Sequence, residues 1–205
     1  PRSGLIPTSA IEDLLRGYVA RARLVADFDQ LPIPFRAVAT DMLTGNMVVF
    51  DHGDIATAMR ASMAVPGAFA PVVTDQYVLS DGFVVRNLPI DVARSTCADV
   101  VIAVNLAKET VTREQLLRPS SLMSRSNDVM SEANERLQLQ TLTDRDVRID
   151  VILGDIGSGD FERTPETIDL GEQAARAAAG RLAALSVSEQ DYAAWRHRVT
   201  VRQAI

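Results

Sequence analysis

Cysteine is nearly absent from these 205 residues: Cys97 is the only one, which excludes an internal disulfide and any cysteine-based zinc cluster. Histidine is almost as scarce, and with His52 and His197 alone a histidine-rich metal site is excluded too. Long apolar runs are also missing. Val100 to Val104 is among the longest, far short of the roughly 20 residues that cross a bilayer as a helix. Basic residues are outnumbered, with Lys and Arg at 21 against Asp and Glu at 27, so the net charge is −6 and no overall positive field is available to nucleic acid. The chain opens on Pro1-Arg2-Ser3-Gly4, without an initiator methionine or a basic-then-apolar leader, and the true N-terminus is expected elsewhere. Cys97 reads as a small apolar packing residue at a helix end.

What is present is enough apolar material, 47% of the residues, for a core. No repeat or low-complexity linker divides the chain, and one domain is expected over 1–205. Ser9-Ala10-Ile11-Glu12 has the form of a capping box, followed by Ile11, Leu14, Leu15, Tyr18 and Val19 on one helical face. Strands are predicted at Phe35 to Thr40 and Met47 to Phe50, joined through the Thr44-Gly45-Asn46 turn. Asp54 caps a helix from Ile55 to about Met63, ended by Pro66-Gly67. A short strand near Tyr77 to Leu79 leads into Ser80-Asp81-Gly82, and a helix is expected from Asn87 to Ser95. Val100 to Leu106 and Val147 to Leu153 suit strands flanking a long helical region, Arg113 to Gln140. Thr164-Pro165-Glu166 opens an alanine-rich helix to about Leu185, whose Ala174 to Ala184 stretch reads as close packing on a sheet; Ser186-Val187-Ser188-Glu189 caps a last helix through Trp195. The alternation predicts an α/β fold, a three-layer α/β/α sandwich.

The residues with chemical potential are few. Asp81-Gly82 places a carboxylate at a strand end, but Asp-Gly also builds ordinary turns, because Asp bonds its own backbone and Gly accepts positive φ. Asp41 reads as a turn-forming residue of the hairpin toward Gly45. Paired with Asp81 it would instead suit the acid and base of a glycosidase or the ligands of a hard metal.

Three blocks in order give this segment a resemblance. Leu31-Pro32-Ile33-Pro34-Phe35-Arg36-Ala37-Val38-Ala39-Thr40-Asp41, the stretch Arg60-Ala61-Ser62-Met63-Ala64-Val65-Pro66-Gly67-Ala68-Phe69-Ala70-Pro71, and Leu79-Ser80-Asp81-Gly82 together resemble bacterial patatin-like phospholipases. The likeness extends from a Gly4-Leu5-Ile6 start to about Trp195, and within the family it looks nearest to the passenger domains of type Vd autotransporters. The resemblance implies a lipid acyl hydrolase with a Ser-Asp dyad and no cofactor or metal. Asp81 would take the proton of a serine carried on a Gly-x-Ser-x-Gly elbow, and Gly82 and Phe83 would contact substrate. His52 and His197 match no catalytic position of the family. The implied partners are a lipid or phospholipid substrate, a transient membrane surface and a second copy in a homodimer. The implied location is secreted or outer-membrane-associated, with a cytoplasmic relative looking alike over these residues.

Two departures qualify the resemblance. No Gly-x-Ser-x-Gly occurs: Gly157-Ser158-Gly159 has the wrong spacing, and Ser62, flanked by Ala61 and Met63, reads as a small residue packed under the site. The family's glycine-rich oxyanion loop is absent as well. The chain is therefore expected to be the C-terminal two-thirds of such a domain, incomplete at the N-terminus and inactive by itself. Phe83 stands where the family motif continues with a small residue. It implies a narrowed acyl pocket, or, as the alternative, a catalytically inactive module that binds lipid or a partner.

Overall fold

The computed structural model describes residues 8–96, 98–107, 113–117, 119–157 and 160–203. The expectations for Gly4-Leu5-Ile6, Cys97 and Ser158-Gly159 lie outside them. The chain is a mixed α/β protein whose residues gather into two compact units, Pro1–Pro89 with Ser188–Ile205, and Ile90–Val187.

In the first unit α1 (Thr8–Tyr18) and a turn of 3-10 helix (Phe28–Gln30) precede β1 (Ala37–Asp41), β2 (Met47–Phe50), α2 (Ile55–Ser62), β3 (Val72–Val73) and β4 (Val78–Asp81). The four strands form one antiparallel sheet in the order β2-β1-β4-β3. Gly45, at φ 74°, makes the tight turn that sets β1 against β2 in the register Ala37↔Phe50 to Thr40↔Met47. Every residue of β1 is buried, so its sequence lacks the polar alternation of a half-exposed strand. Small side chains explain how closely α2 approaches it. Ala58 packs with Ala37, Phe28 and Ile55, while Ala61 packs with Ala39 and Leu79. Full burial of Phe28 is worth about 1.5–3 kcal/mol. Asp54 starts α2 as expected, its carboxylate accepting the Thr57 N–H at 2.8 Å. The face read on α1 is narrower than its periodicity suggests: Leu15 is buried, whereas Leu14 and Tyr18 are exposed.

The second unit begins with α4 (Ile90–Ser95), which follows the short α3 (Phe83–Arg86) of the first. Its strands β5 (Ile102–Ala107) and β6 (Val147–Ile152) pair in parallel from Ile102↔Val147 to Ala107↔Ile152. Parallel pairing needs a long crossover, which here holds α5 (Arg113–Leu116) and α6 (Pro119–Leu139), within the helical region expected there. Val147, Ile149 and Val151 alternate into a cluster with Leu170, Ala174, Ala175 and Ala178 of α7 (Thr164–Ala177) and its end, and with Leu182 of α8 (Ala179–Ala183). The alanines thus serve close packing on a strand, as read from sequence. Thr164 is the first helical residue and not the cap, which is Arg163; the alanine-rich helix breaks at Ala178. The last helix, α9 (Glu189–Gln203), starts after Ser188, whose hydroxyl accepts the Asp191 N–H, and runs past Trp195.

Asp146 anchors the start of β6. One oxygen accepts the Val101 N–H at 2.8 Å, and the other accepts the N–H and hydroxyl of Thr143 and pairs with Arg94. The Thr143 and Val101 amides hold its carboxyl well below the usual aspartate range.

Candidate active site

Asp81 is the last residue of β4, an inner strand of the antiparallel sheet, aligned with Ala39 of β1. Three bonds fix it. Its N–H donates to the Ala64 carbonyl at 3.0 Å, and its own carbonyl accepts the Thr40 hydroxyl at 2.8 Å. Its Oδ1 accepts the Phe83 N–H at 2.9 Å. Oδ2 has no hydrogen-bond partner among the described residues. Ser80 strengthens the first contact, its hydroxyl donating to the same Ala64 carbonyl at 2.7 Å. Burial pushes the Asp81 carboxyl above the ordinary aspartate range, and the Phe83 N–H opposes this only in part.

The carboxylate borders a cavity of about 470 Å³ within the first unit. Leu15, Phe35, Val38, Met59, Met63 and Phe83 supply apolar walls, and the polar lining includes Ser62, Arg36, Arg86 and Asn87 as well as Asp81. An apolar hollow with a few convergent polar groups is the usual form of a small-molecule site. The structure therefore brings Asp81, Gly82 and Phe83 together around one cavity.

Gly82 has a different reason from the one its turn motif suggests. Its backbone lies at φ −63° and ψ −21°, helical angles open to any residue. What requires glycine is space: a Cβ there would lie 2.4 Å from the Val38 carbonyl oxygen and 2.9 Å from its carbon. Without a side chain, α3 can begin against the β1 backbone, and the Gly82 carbonyl accepts the Val85 and Arg86 N–H groups.

Asp41 is committed elsewhere. Its Oδ2 accepts the Thr44 hydroxyl at 2.7 Å and its Oδ1 the Leu43 and Val78 amides, contacts that hold its carboxyl below the usual range. These contacts are those of the turn reading, with both carboxylate oxygens taken up by the hairpin and the neighbouring strand. Among the described residues no group of three or more His, Cys, Asp or Glu is placed to hold a metal. His52 is 83% exposed and paired with Asp51, His197 is exposed, and neither borders the cavity. Ser62 does border it, half-buried on α2. Sequence reasoning missed the methionines of the wall and the Ala64 carbonyl, the latter because a backbone acceptor leaves no trace in residue identity.

Comparison with known proteins bears on the same segment. The patatin-like phospholipase family model matches residues 1–94. An uncharacterized NTE family protein of Mycobacterium tuberculosis is 39% identical over 104 residues, 51% of this chain and 28% of that protein. A second from the same organism is 32% identical over 114 residues, 54% of this chain and 18% of that protein. The mouse patatin-like phospholipase domain-containing protein 7 is 37% identical over 86 residues, 41% of this chain and 6% of that protein. The chain thus spans less than a third of the length of these relatives. The narrower likeness to autotransporter passengers has no counterpart among the three. The cavity residues, from Leu15 to Pro89, all fall inside residues 1–94, the stretch over which this chain matches the patatin-like phospholipase family model.

Proposed function

We propose that the chain is part of a lipid acyl hydrolase domain formed by both units, in which Asp81 is the general base for a serine nucleophile. The observation that carries this reading is the state of Asp81: held by three hydrogen bonds, one carboxylate oxygen without a hydrogen-bond partner among the described residues, and a carboxyl raised by burial beside an apolar cavity. A serine hydroxyl is a weak nucleophile at neutral pH and needs a partner to accept its proton as the bond to the ester carbon forms. A carboxylate with a raised pKa accepts that proton more readily than an ordinary aspartate does. The protonated Asp81 then returns the proton to the departing alcohol, and water resolves the acyl-enzyme by the same route. The serine belongs to a Gly-x-Ser-x-Gly segment that these 205 residues do not contain. The substrate class is a carboxylic ester of a lipid, phospholipid included, met at a membrane surface. No helix of the described residues is long and apolar enough to cross one.

By itself the chain is expected to show no turnover of p-nitrophenyl esters or phospholipid vesicles above buffer. The same residues preceded by a family segment bearing the elbow are expected to hydrolyse both. The oxyanion donors alone are worth about 10²–10³ in rate, and the nucleophile is missing too. Hydrolysis by the pure chain at a rate matching the longer protein would end the Ser-Asp reading.

Phe83 is the residue we assign to acyl selection, since it lines the cavity directly after Gly82. Phe83→Gly in the longer protein is expected to shift kcat/KM toward bulkier or longer esters by about 1–3 kcal/mol, the scale of hydrophobic-pocket discrimination. Identical selectivity across a chain-length series, with both proteins active, would remove Phe83 from that role. The rival reading, a lipid-binding module without catalysis, shares this cavity and differs only in what happens at Asp81.

A further inference from the structure

Arg60, on α2, is a buried cation with no part in the chemistry above. It is 1% exposed, and its Nη2 donates to the Ala70 carbonyl at 2.7 Å. Its guanidinium carbon lies 5.4 Å from the centre of the Phe69 ring. Its Nε and Nη1, both buried, meet no acceptor among the described residues. Burial pulls its pKa down, and Glu12 is the carboxylate whose charge opposes that. Burying a guanidinium with donors unsatisfied costs stability relative to an apolar side chain of similar volume. Stability alone would favour methionine here.

What the guanidinium does hold is geometry. Residues 64–70 form a compact turn: Phe69 and Ala68 donate to the Val65 carbonyl, and Gly67 sits at φ 86°. One end of that turn is held by Arg60 through Ala70 and Phe69. The other end is Ala64, whose carbonyl accepts both the Ser80 hydroxyl and the Asp81 N–H. Arg60 and Asp81 thus clamp opposite ends of one seven-residue turn.

We infer that Arg60 is a positioning residue for Asp81, holding the turn 64–70 so that the Ala64 carbonyl fixes the Asp81 backbone and keeps its carboxyl at the cavity wall. The inference rests on the reading of Asp81 as base, but its test requires no hydrolysis. Arg60→Met, Arg60→Lys and unaltered chain are compared by amide hydrogen exchange and by ¹³C titration of the Asp81 carboxyl, assigned against Asp81→Asn. In Arg60→Met the Asp81 amide is expected to exchange about tenfold faster or more relative to the amides of β1, and the carboxyl midpoint to fall toward the ordinary aspartate value as water enters. Arg60→Lys keeps a donor for Ala70 and a cation on Phe69, and is expected to restore both readouts at least halfway. Unaltered-chain values in Arg60→Met, or values in Arg60→Lys no different from those of Arg60→Met, overturn the assignment. Should Arg60→Met fail to fold, Phe69→Leu, which removes only the ring beneath the cation, takes its place. The same two shifts in smaller degree support the clamp, and unchanged values reject it. Failure of the base assignment looks different: an Asp81→Asn protein that still hydrolyses esters, whatever Arg60 does.

Discussion

Asp81→Asn, made in a protein that joins these residues to the elbow segment, is expected to lower ester turnover by about 10²–10⁴-fold, the usual contribution of a positioned general base. Asparagine keeps the shape of the side chain and can still accept the Phe83 N–H through its carbonyl oxygen, so the backbone contacts that fix residue 81 persist. What it cannot do is take a proton. The pH dependence follows from the direction of the Asp81 shift. The base must be ionised, so the rate of the unaltered protein rises with pH through a midpoint above the ordinary aspartate range. Stability runs the other way. The folded carboxyl is harder to ionise than the unfolded one, so Asp81 costs stability progressively as pH rises from the unfolded value through the folded one, and the cost persists above it. The Asn variant is therefore expected to match or exceed the unaltered protein in Tm at pH 7, the difference closing in acid below the ordinary aspartate value. A gain in stability with a loss of turnover is the mark of a residue kept for chemistry. Turnover within tenfold of the unaltered protein would transfer the base role away from Asp81 to another group; the lipid-binding module is favoured instead if the unaltered longer protein itself shows no turnover.

Gly82→Ala is expected to cost about 1–3 kcal/mol of stability, the range for forced overpacking, and to displace the Asp81 turn. The added methyl would meet a backbone carbonyl at 2.4 Å, and Val38, inside the fully buried β1, has no flexible end to yield. Conformational preference makes the opposite forecast. At φ −63° alanine is as comfortable as glycine and restricts the unfolded chain more, which would stabilise the protein by about 0.4–1 kcal/mol. Urea denaturation thus separates the two accounts by sign, and a stabilised Gly82→Ala would show that the close approach to β1 is not what selects glycine there.

Most of the local structure was legible where one residue decides it. Asp54 caps α2, Gly45 turns β1 into β2, and β2 spans the residues its apolar run marks. Val147 to Val151 alternate as a strand with one face packed on a helix. Elements that depend on distant partners were not legible. β3 is two residues long and exists because β4 pairs with it, α3 is a single turn made possible by the gap beside Val38, and Tyr18 has helical periodicity yet is exposed among the described residues. The sheets show the same division: short turns join β1 to β2 and β3 to β4 antiparallel, while only the long connection between β5 and β6 permits a parallel pair.

By itself the sequence determined the blocks that resemble the patatin-like family and the absence of a Gly-x-Ser-x-Gly elbow from these residues, because residue identity and spacing along the chain carry that information directly. Tertiary structure alone decided the surroundings of the Asp81 carboxyl. Asp41 and Asp81 are the same residue type at the ends of neighbouring strands, yet one spends both oxygens on hydrogen bonds and is held acidic, while the other keeps an oxygen unbonded among the described residues beside an apolar cavity and is pushed the opposite way. It also decided why Gly82 is glycine and what Arg60 touches. Desolvation, backbone carbonyls and close approach are relations between segments 16 to 44 residues apart, such as Ser80 to Ala64 and Gly82 to Val38, and no local pattern encodes them.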